Sequence, residues 1–194
     1  MVPKRFRSIK PEIRVLGIDD GRFVPRTKGP VDVVGVVYRG GFWFEGVMHT
    51  EITIDGLDAT EKIAYMIESS PYYRELRAVI LDGITFAGFN VVDVSKLSLR
   101  VDLPVMSVAR EKPDLVIIGR ALKNLPEFEV RWQAIENSGE FFEVETRNGE
   151  NPVYIQIAGI LLEDAEKIMK RTSTLSNIPE ALRVAHIIAS GLTR

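Results

Sequence analysis

The stretch Ile13-Arg14-Val15-Leu16-Gly17-Ile18-Asp19-Asp20 is an apolar run that ends on two carboxylates. A short run of this kind, rich in β-branched residues, is typical of a buried strand. Two further runs, residues 77–81 and 50–54, end in the same way on Asp82 and Asp55. Strands that finish on acids can bring those acids together at one edge of a sheet, and we predict that arrangement here.

Carboxylates gathered in one place repel each other unless a cation lies among them. Hard divalent cations such as Mg²⁺ take oxygen ligands. We therefore predict that Asp19, Asp55 and Asp82 are catalytic, metal-binding residues of a Mg²⁺ site for phosphate chemistry, with Mn²⁺ as the alternative ion. An aspartate before a glycine also fits a turn or a helix cap, and Asp82 taken alone fits that interpretation better. Asp19 differs, because the second acid beside it adds a repulsion that a turn does not need.

The composition indicates a globular protein and sets limits on its function. The chain has 194 residues, of which 45% are hydrophobic, and contains no cysteine, which excludes disulfides and thiolate metal sites. It shows neither a membrane span nor a signal peptide, so we expect a cytoplasmic protein. The net charge of −2 gives no support for nucleic-acid binding, although a local basic surface stays open. The oligomeric state is left open.

Strand and helix patterns alternate along the chain and predict an α/β fold, with a mixed sheet flanked by helices in one domain over residues 1–194. A Gly40-Gly41 turn joins the second and third strands, and Asp58 is expected to cap the first helix. The type of residues 114–118 is uncertain. The predicted strands are 13–18, 31–38, 42–54, 77–81, 104–108, 141–146 and 152–157, and the predicted helices begin near 58, 91, 163 and 180.

Few other side chains suggest chemistry. His49 and His186 are the two histidines, and we assign His49 to a strand face and His186 to a packing or surface role in the last helix. Arg22, Arg26 and Lys28 form a basic loop directly after the first acids. They are candidate phosphate-binding residues, with a solvated surface as the alternative.

Six segments form a recognisable series along the chain. They are LGID at 16–19, LDG at 81–83, VDVSKLSL at 92–99, LPVMSVAR at 103–110, LLEDA at 161–165 and IPEALRVAH at 178–186. Together these segments resemble endonuclease V over most of the chain, in the same order, and most specifically toward the C-terminus and over the central segments. More closely, the chain resembles a small, uncharacterised, mainly archaeal family related to endonuclease V.

This resemblance implies a ribonuclease H-like fold and a Mg²⁺-dependent nuclease site that acts on nucleic acid, either DNA or RNA. It implies that Asp19 and Asp82 are metal ligands. The family's intervening glutamate falls nearest Asp55, with Glu51 as the competing position. Its phosphate-contacting lysine falls near Arg110 or Lys112.

Two departures from the family pattern leave an alternative function open. The family's glycine-histidine pair is Gly159-Ile160 here, and its PYIP-like base-reading wedge has no counterpart around residues 46–54. The alternative is a catalytically reduced nucleic-acid-binding or scaffold protein on the same fold. For Asp20 we predict a side chain on the face opposite Asp19, as a turn residue or as an acceptor that orients a neighbouring group.

Overall fold

The computed structural model describes residues 3–25 and 27–192. Over these residues the chain forms a seven-stranded mixed sheet in the order β3-β2-β1-β4-β7-β9-β8, and β5 and β6 form a separate small hairpin. The strands are β1 (Arg14–Asp20), β2 (Pro30–Arg39), β3 (Trp43–Thr53), β4 (Ala78–Asp82), β5 (Thr85–Phe86), β6 (Asn90–Val91), β7 (Val105–Ala109), β8 (Phe142–Val144) and β9 (Val153–Ala158). The helices are α1 (Ala59–Glu68), α2 (Val94–Val101), α3 (Leu115–Leu122), α4 (Phe128–Asn137), α5 (Leu162–Thr172) and α6 (Glu180–Gly191), with a 3₁₀ turn at Tyr73–Glu75.

Strand direction divides the sheet into two parts. β1, β2 and β3 form an antiparallel meander, whereas β4 and β7 run parallel to β1. The carboxyl ends of β1, β4 and β7 therefore lie at one edge of the sheet. The mixed sheet flanked by helices that the sequence predicts is confirmed.

Alternation along β1 separates two cores. Leu16 and Ile18 pack with residues of α1, α2, α3 and α4 on one face of the sheet. Val15 packs with residues of α5 and α6 on the other face. Because side chains alternate along a strand, Asp19 continues the α6 face and Asp20 continues the opposite face.

Helix α6 lies directly against the backbone of β1. A Cβ on Gly17 would stand 2.3 Å from the carbonyl carbon of Ala181 and 2.4 Å from the nitrogen of Leu182, so no larger residue fits without moving the helix. Further along, a Cβ on Gly21 would stand 3.2 Å from the carbonyl oxygen of Ala189. The helix therefore follows the strand from Gly17 to the sheet edge.

Local predictions hold for most elements but not for all. The uncertain segment at 114–118 is the start of α3, and α2 begins later than predicted, at Val94. Asp58 precedes α1 without capping it, because its carboxylate accepts hydrogen bonds from Thr53 and Asn90. The sequence analysis did not identify α4, whose apolar stripe is weak.

Within the residues that the structure describes, every helix is too short or too polar to cross a membrane.

We predict that Gly17→Ala destabilises the protein by about 1–3 kcal/mol or more, because the added methyl group overpacks the contact between β1 and α6. Urea denaturation measures this change. Gly191→Ala is the matched control. Gly191 lies on α6, the helix that Gly17 contacts, and a Cβ on Gly191 meets no atom within 4 Å. Equal stability of the Gly17→Ala variant and the wild type would contradict the close contact.

Candidate functional site

Two strand-end carboxylates lie side by side at the sheet edge. In the parallel pairing of β1 with β4, Ile18 is level with Leu81, so the next residues, Asp19 and Asp82, are neighbours. Ala78 and Ile80 of β4 pack on the α6 face. Because side chains alternate along a strand, Asp82 lies on this face too, as Asp19 does. The meeting of these two acids, which the sequence predicts, follows from this pairing.

His186 of α6 completes the group. Its Nδ1 lies 2.7 Å from Asp19 Oδ2. Two strand residues from Gly17 to Asp19 span about 6.6 Å, and the four helix residues from Leu182 to His186 span about 6 Å, so the contact at Gly17 brings His186 level with Asp19. Among the described residues, Asp19, Asp82 and His186 offer one ligand atom each, and these atoms all lie within 4.8 Å of one another.

The sequence assigns His186 a packing or surface role, and the structure adds a contact with Asp19 that the sequence did not predict. The imidazole is partly exposed and contacts a buried acid instead of only covering the sheet. A detectable pattern was present in the sequence. The histidine follows Ala185 and stands four residues after Leu182, both of which are fully buried. It therefore lies at the border of the apolar stripe, facing the strand ends.

Burial and crowding make the ionised carboxylates costly. The pKa of Asp19 is raised to about 6, because burial and the charge of Asp82 raise it by more than the hydrogen bond to His186 lowers it. Burial also raises the pKa of Asp82, and the charges of Arg110 and His186 lower it. A cation placed among these groups would favour their ionised forms.

The donor set fits a divalent cation. Two carboxylates and one imidazole supply oxygen and nitrogen ligands, a combination that suits Mn²⁺ and other transition metals as well as Mg²⁺. Three protein ligands leave positions for water or a phosphate oxygen. Asp19 and Asp82 are the residues that would hold the cation, with His186 beside them.

Asp20 points away from this group. Its Oδ2 accepts a hydrogen bond of 2.7 Å from the Ala87 N–H, on the face opposite the Asp19 contact with α6. The pKa of Asp20 is raised to about 6, because burial raises it by more than this hydrogen bond lowers it. The predicted division between the two neighbouring acids agrees with these contacts, and Asp20 is an acceptor for the loop after β4.

The third predicted acid is not part of the three-residue group found among the described residues. Asp55 Oδ1 accepts a hydrogen bond of 2.9 Å from the Phe89 N–H. The competing position, Glu51, lies on β3 opposite Asp32 of β2. Metal binding by Asp55 or Glu51 stays a prediction.

The predicted phosphate-binding residues occupy different positions at this edge. Arg110 is exposed just beyond β7, and its charge lowers the pKa of Asp82, so it stands close to the acidic group. Lys112 is exposed two residues further on. Arg22 is exposed after β1 and lines a cavity of about 310 Å³ that Lys28 also borders. Arg26 lies outside the described residues.

Comparison with known proteins defines the class and then the family. The crystal structure of Ciona intestinalis endonuclease V (D234N), in complex with a 23mer DNA containing an inosine followed by a ribo-adenosine, has a TM-score of 0.58 at 14% identity. That match covers 89% of this chain and 81% of that one. At this identity the likeness shows the fold alone, which is the α/β fold of endonuclease V.

Closer relatives identify the family. The family model described as Endonuclease dU matches residues 11–193, and the chain belongs to this family. A UPF0215 protein of Methanothermobacter thermautotrophicus is 51% identical over 189 residues, covering 97% of this chain and 91% of that protein. A crystal structure of a protein of unknown function from Archaeoglobus fulgidus has a TM-score of 0.84 at 37% identity, covering 94% of this chain and 99% of that one. The predicted membership of a largely archaeal family related to endonuclease V is confirmed.

We predict that His186→Ala weakens Mn²⁺ binding by at least about 10-fold, because it removes one of three ligands, and that Asp19→Asn abolishes binding. Asp20→Asn should weaken binding only modestly. Isothermal titration calorimetry measures these affinities.

His49→Ala is the matched control. His49 Nε2 lies 2.7 Å from Asp32 Oδ1, so this variant removes the same kind of histidine–aspartate contact outside the site. Metal binding that survives Asp19→Asn and disappears in Asp20→Asn would mean that the wrong acid has been assigned to the metal.

We also predict a pH dependence of stability in the presence of a chelator. The pKa values of Asp19 and Asp20 are raised from 3.8 to about 6 on folding, so the folded protein holds protons that the unfolded chain has lost. This contribution to stability is complete below pH 3.8 and is lost as the pH rises through about 6.

Between about pH 5 and about pH 7.5 the two acids should together lower the free energy of unfolding by about 1–3 kcal/mol. Urea denaturation at both pH values measures this loss, and Asp20→Asn should reduce it. An identical pH dependence in the wild type and in Asp20→Asn would refute the assignment for Asp20.

Proposed function

We propose that this protein is a divalent-metal-dependent endonuclease that hydrolyses phosphodiester bonds in nucleic acid. The observation that carries the proposal is the convergence of Asp19, Asp82 and His186, with ligand atoms within 4.8 Å of one another, at the edge where β1 and β4 end. We propose Mg²⁺ as the cation, with Mn²⁺ as the alternative.

Each side chain has a distinct role in this proposal. Asp19 and Asp82 hold the cation, and His186 supplies the third ligand and orients Asp19. A bound cation would lower the pKa of a water molecule and neutralise charge on the leaving oxygen. Arg110, exposed next to Asp82, binds a non-bridging oxygen of the scissile phosphate and favours the more negative transition state.

The relatives support one class of substrate. The family name, Endonuclease dU, and the DNA bound in the Ciona endonuclease V structure both support a DNA substrate. We propose DNA that contains deoxyuridine as the first substrate to test, with inosine-containing DNA and RNA as comparisons.

The catalytically reduced alternative loses part of its motivation. It rested on the replacement of a family histidine at Gly159-Ile160, on the missing base-reading wedge and on the lack of net positive charge. His186, which lies in a segment that resembles the family, supplies an imidazole to the group of Asp19 and Asp82, so the loss at Gly159-Ile160 does not leave these acids without a histidine.

We predict that the wild type cleaves such DNA in Mg²⁺ or Mn²⁺ and that chelation stops the reaction. Asp82→Asn should lower the rate by more than about 100-fold, since even residues that only support a metal ligand can cost 10–100-fold. Gel analysis of end-labelled oligonucleotides measures the cleavage.

Asp102→Asn, at an exposed acid after α2, should leave the rate unchanged. If DNA and RNA, each with and without the modified bases, all stay intact in both metals, the proposed function is wrong.

A further inference from the structure

We call Asp19, Asp82 and His186 the metal group. Two turns near it are hydrogen-bonded into a single element, which we name the turn pair. It consists of Asp55 and Gly56 after β3 and of residues 87–89 at the tip of the β5–β6 hairpin. The Asp55 N–H donates to the Ala87 carbonyl oxygen at 2.9 Å, and the Phe89 N–H donates to Asp55 Oδ1 at 2.9 Å. The two turns therefore cannot move independently without breaking these bonds.

The turn pair is held in a costly conformation. Asp55 and Ala87 have φ values of +50° and +43°, a left-handed region that non-glycine residues rarely adopt. Such a residue is strained and keeps this conformation only where its surroundings fix it. Gly88, which follows Ala87, has φ +89°, and a Cβ on this residue would stand 2.4 Å from Asp55 Oδ1.

The turn pair is attached to the strand that carries the first metal-binding acid. The Ala87 N–H donates to Asp20 Oδ2 at 2.7 Å, and Asp20 directly follows Asp19 on β1. Asp82 is separated from the hairpin only by Gly83 and Ile84. The turn pair is therefore bonded to the residue that follows Asp19 and linked through two residues to Asp82, on the face of the sheet opposite α6.

A buried arginine from α4 holds the two turns together. Arg131 is 2% exposed, and its guanidinium donates to Asp55 O at 2.7 Å, to Gly56 O at 2.8 Å and to Phe89 O. Its fourth acceptor is the carbonyl oxygen of Pro126, at 3.1 Å. All four acceptors are main-chain carbonyls. The planar guanidinium reaches carbonyls of both turns at once, which the single ammonium group of a lysine does not do in the same geometry.

Burying a cation costs free energy unless its hydrogen-bond donors find acceptors. The donors of the Arg131 guanidinium find theirs in main-chain carbonyls of both turns, which fixes the positions of these carbonyls. The strain at Asp55 and Ala87, the bond to Asp20 and the arginine all act on one small element next to the metal group.

We propose that Arg131 is a positioning residue that holds the turn pair as a rigid surface for the nucleic-acid strand beside the metal group. The inference rests on the proposed nuclease function and adds a residue that touches neither the metal group nor the phosphate. A polymeric substrate needs this surface. A small diester such as bis(p-nitrophenyl) phosphate needs only the metal group.

The test compares these two substrates in two variants that disturb the turn pair from different sides. Arg131→Lys removes the guanidinium fork and keeps the charge, whereas Gly88→Ala pushes a methyl group against Asp55. We expect each variant to lower kcat for the oligonucleotide by about 100-fold, and to keep Mn²⁺ affinity and hydrolysis of the small diester within about threefold of the wild type.

Gly149→Ala is the matched control, since Gly149 has φ +80° and a Cβ there meets no atom within 4 Å. It introduces a similar backbone strain in the turn between β8 and β9, and both reactions should stay unchanged. Thermal unfolding followed by circular dichroism verifies that each variant is folded.

Variants that slow both substrates equally, or neither, overturn the positioning role while the nuclease function stands. A wild-type protein that hydrolyses neither substrate in Mg²⁺ or Mn²⁺ overturns the proposed function and this inference with it.

Discussion

The direct contact between α6 and the backbone of β1 at Gly17 is the constraint on which the site depends. Without a side chain at Gly17, the helix backbone at Ala181 and Leu182 approaches the strand closely. The helix then runs beside the strand to its end, and His186 arrives level with Asp19. A larger residue at position 17 would move the imidazole away from the acids, so one glycine links packing to chemistry.

Strand alternation divides the acids at this edge into two sets. Asp19 and Asp82 point toward α6 and meet His186, where burial and mutual repulsion favour a bound cation. Asp20 points toward the other face, and Asp20 and Asp55, which follows the end of β3, both accept main-chain N–H groups of the hairpin after β4. The first set is suited to metal chemistry, and the second set fixes the shape of the adjoining surface.

The sequence predicts the mixed sheet and the proximity of Asp19 and Asp82, because the strands and their acidic ends are marked by local patterns. A β-branched run that ends on an acid specifies a strand and the place where it stops, and parallel pairing then brings Asp19 and Asp82 together. The helical spacing places His186 at the border of the apolar stripe of α6, but its distance from the acids depends on the helix-to-strand contact at Gly17. No sequence pattern predicts the contacts of Arg131, because its partners are main-chain carbonyls that lie far away in the sequence or in a loop.

The most direct test of this account is the crystal structure of the protein soaked in Mn²⁺, with the ion located by its anomalous scattering. The account predicts one strong peak within coordination distance of carboxylate oxygens of Asp19 and Asp82 and of an imidazole nitrogen of His186. A peak between Asp20 and Asp55, or no peak at saturating Mn²⁺ with the three side chains in place, would contradict it.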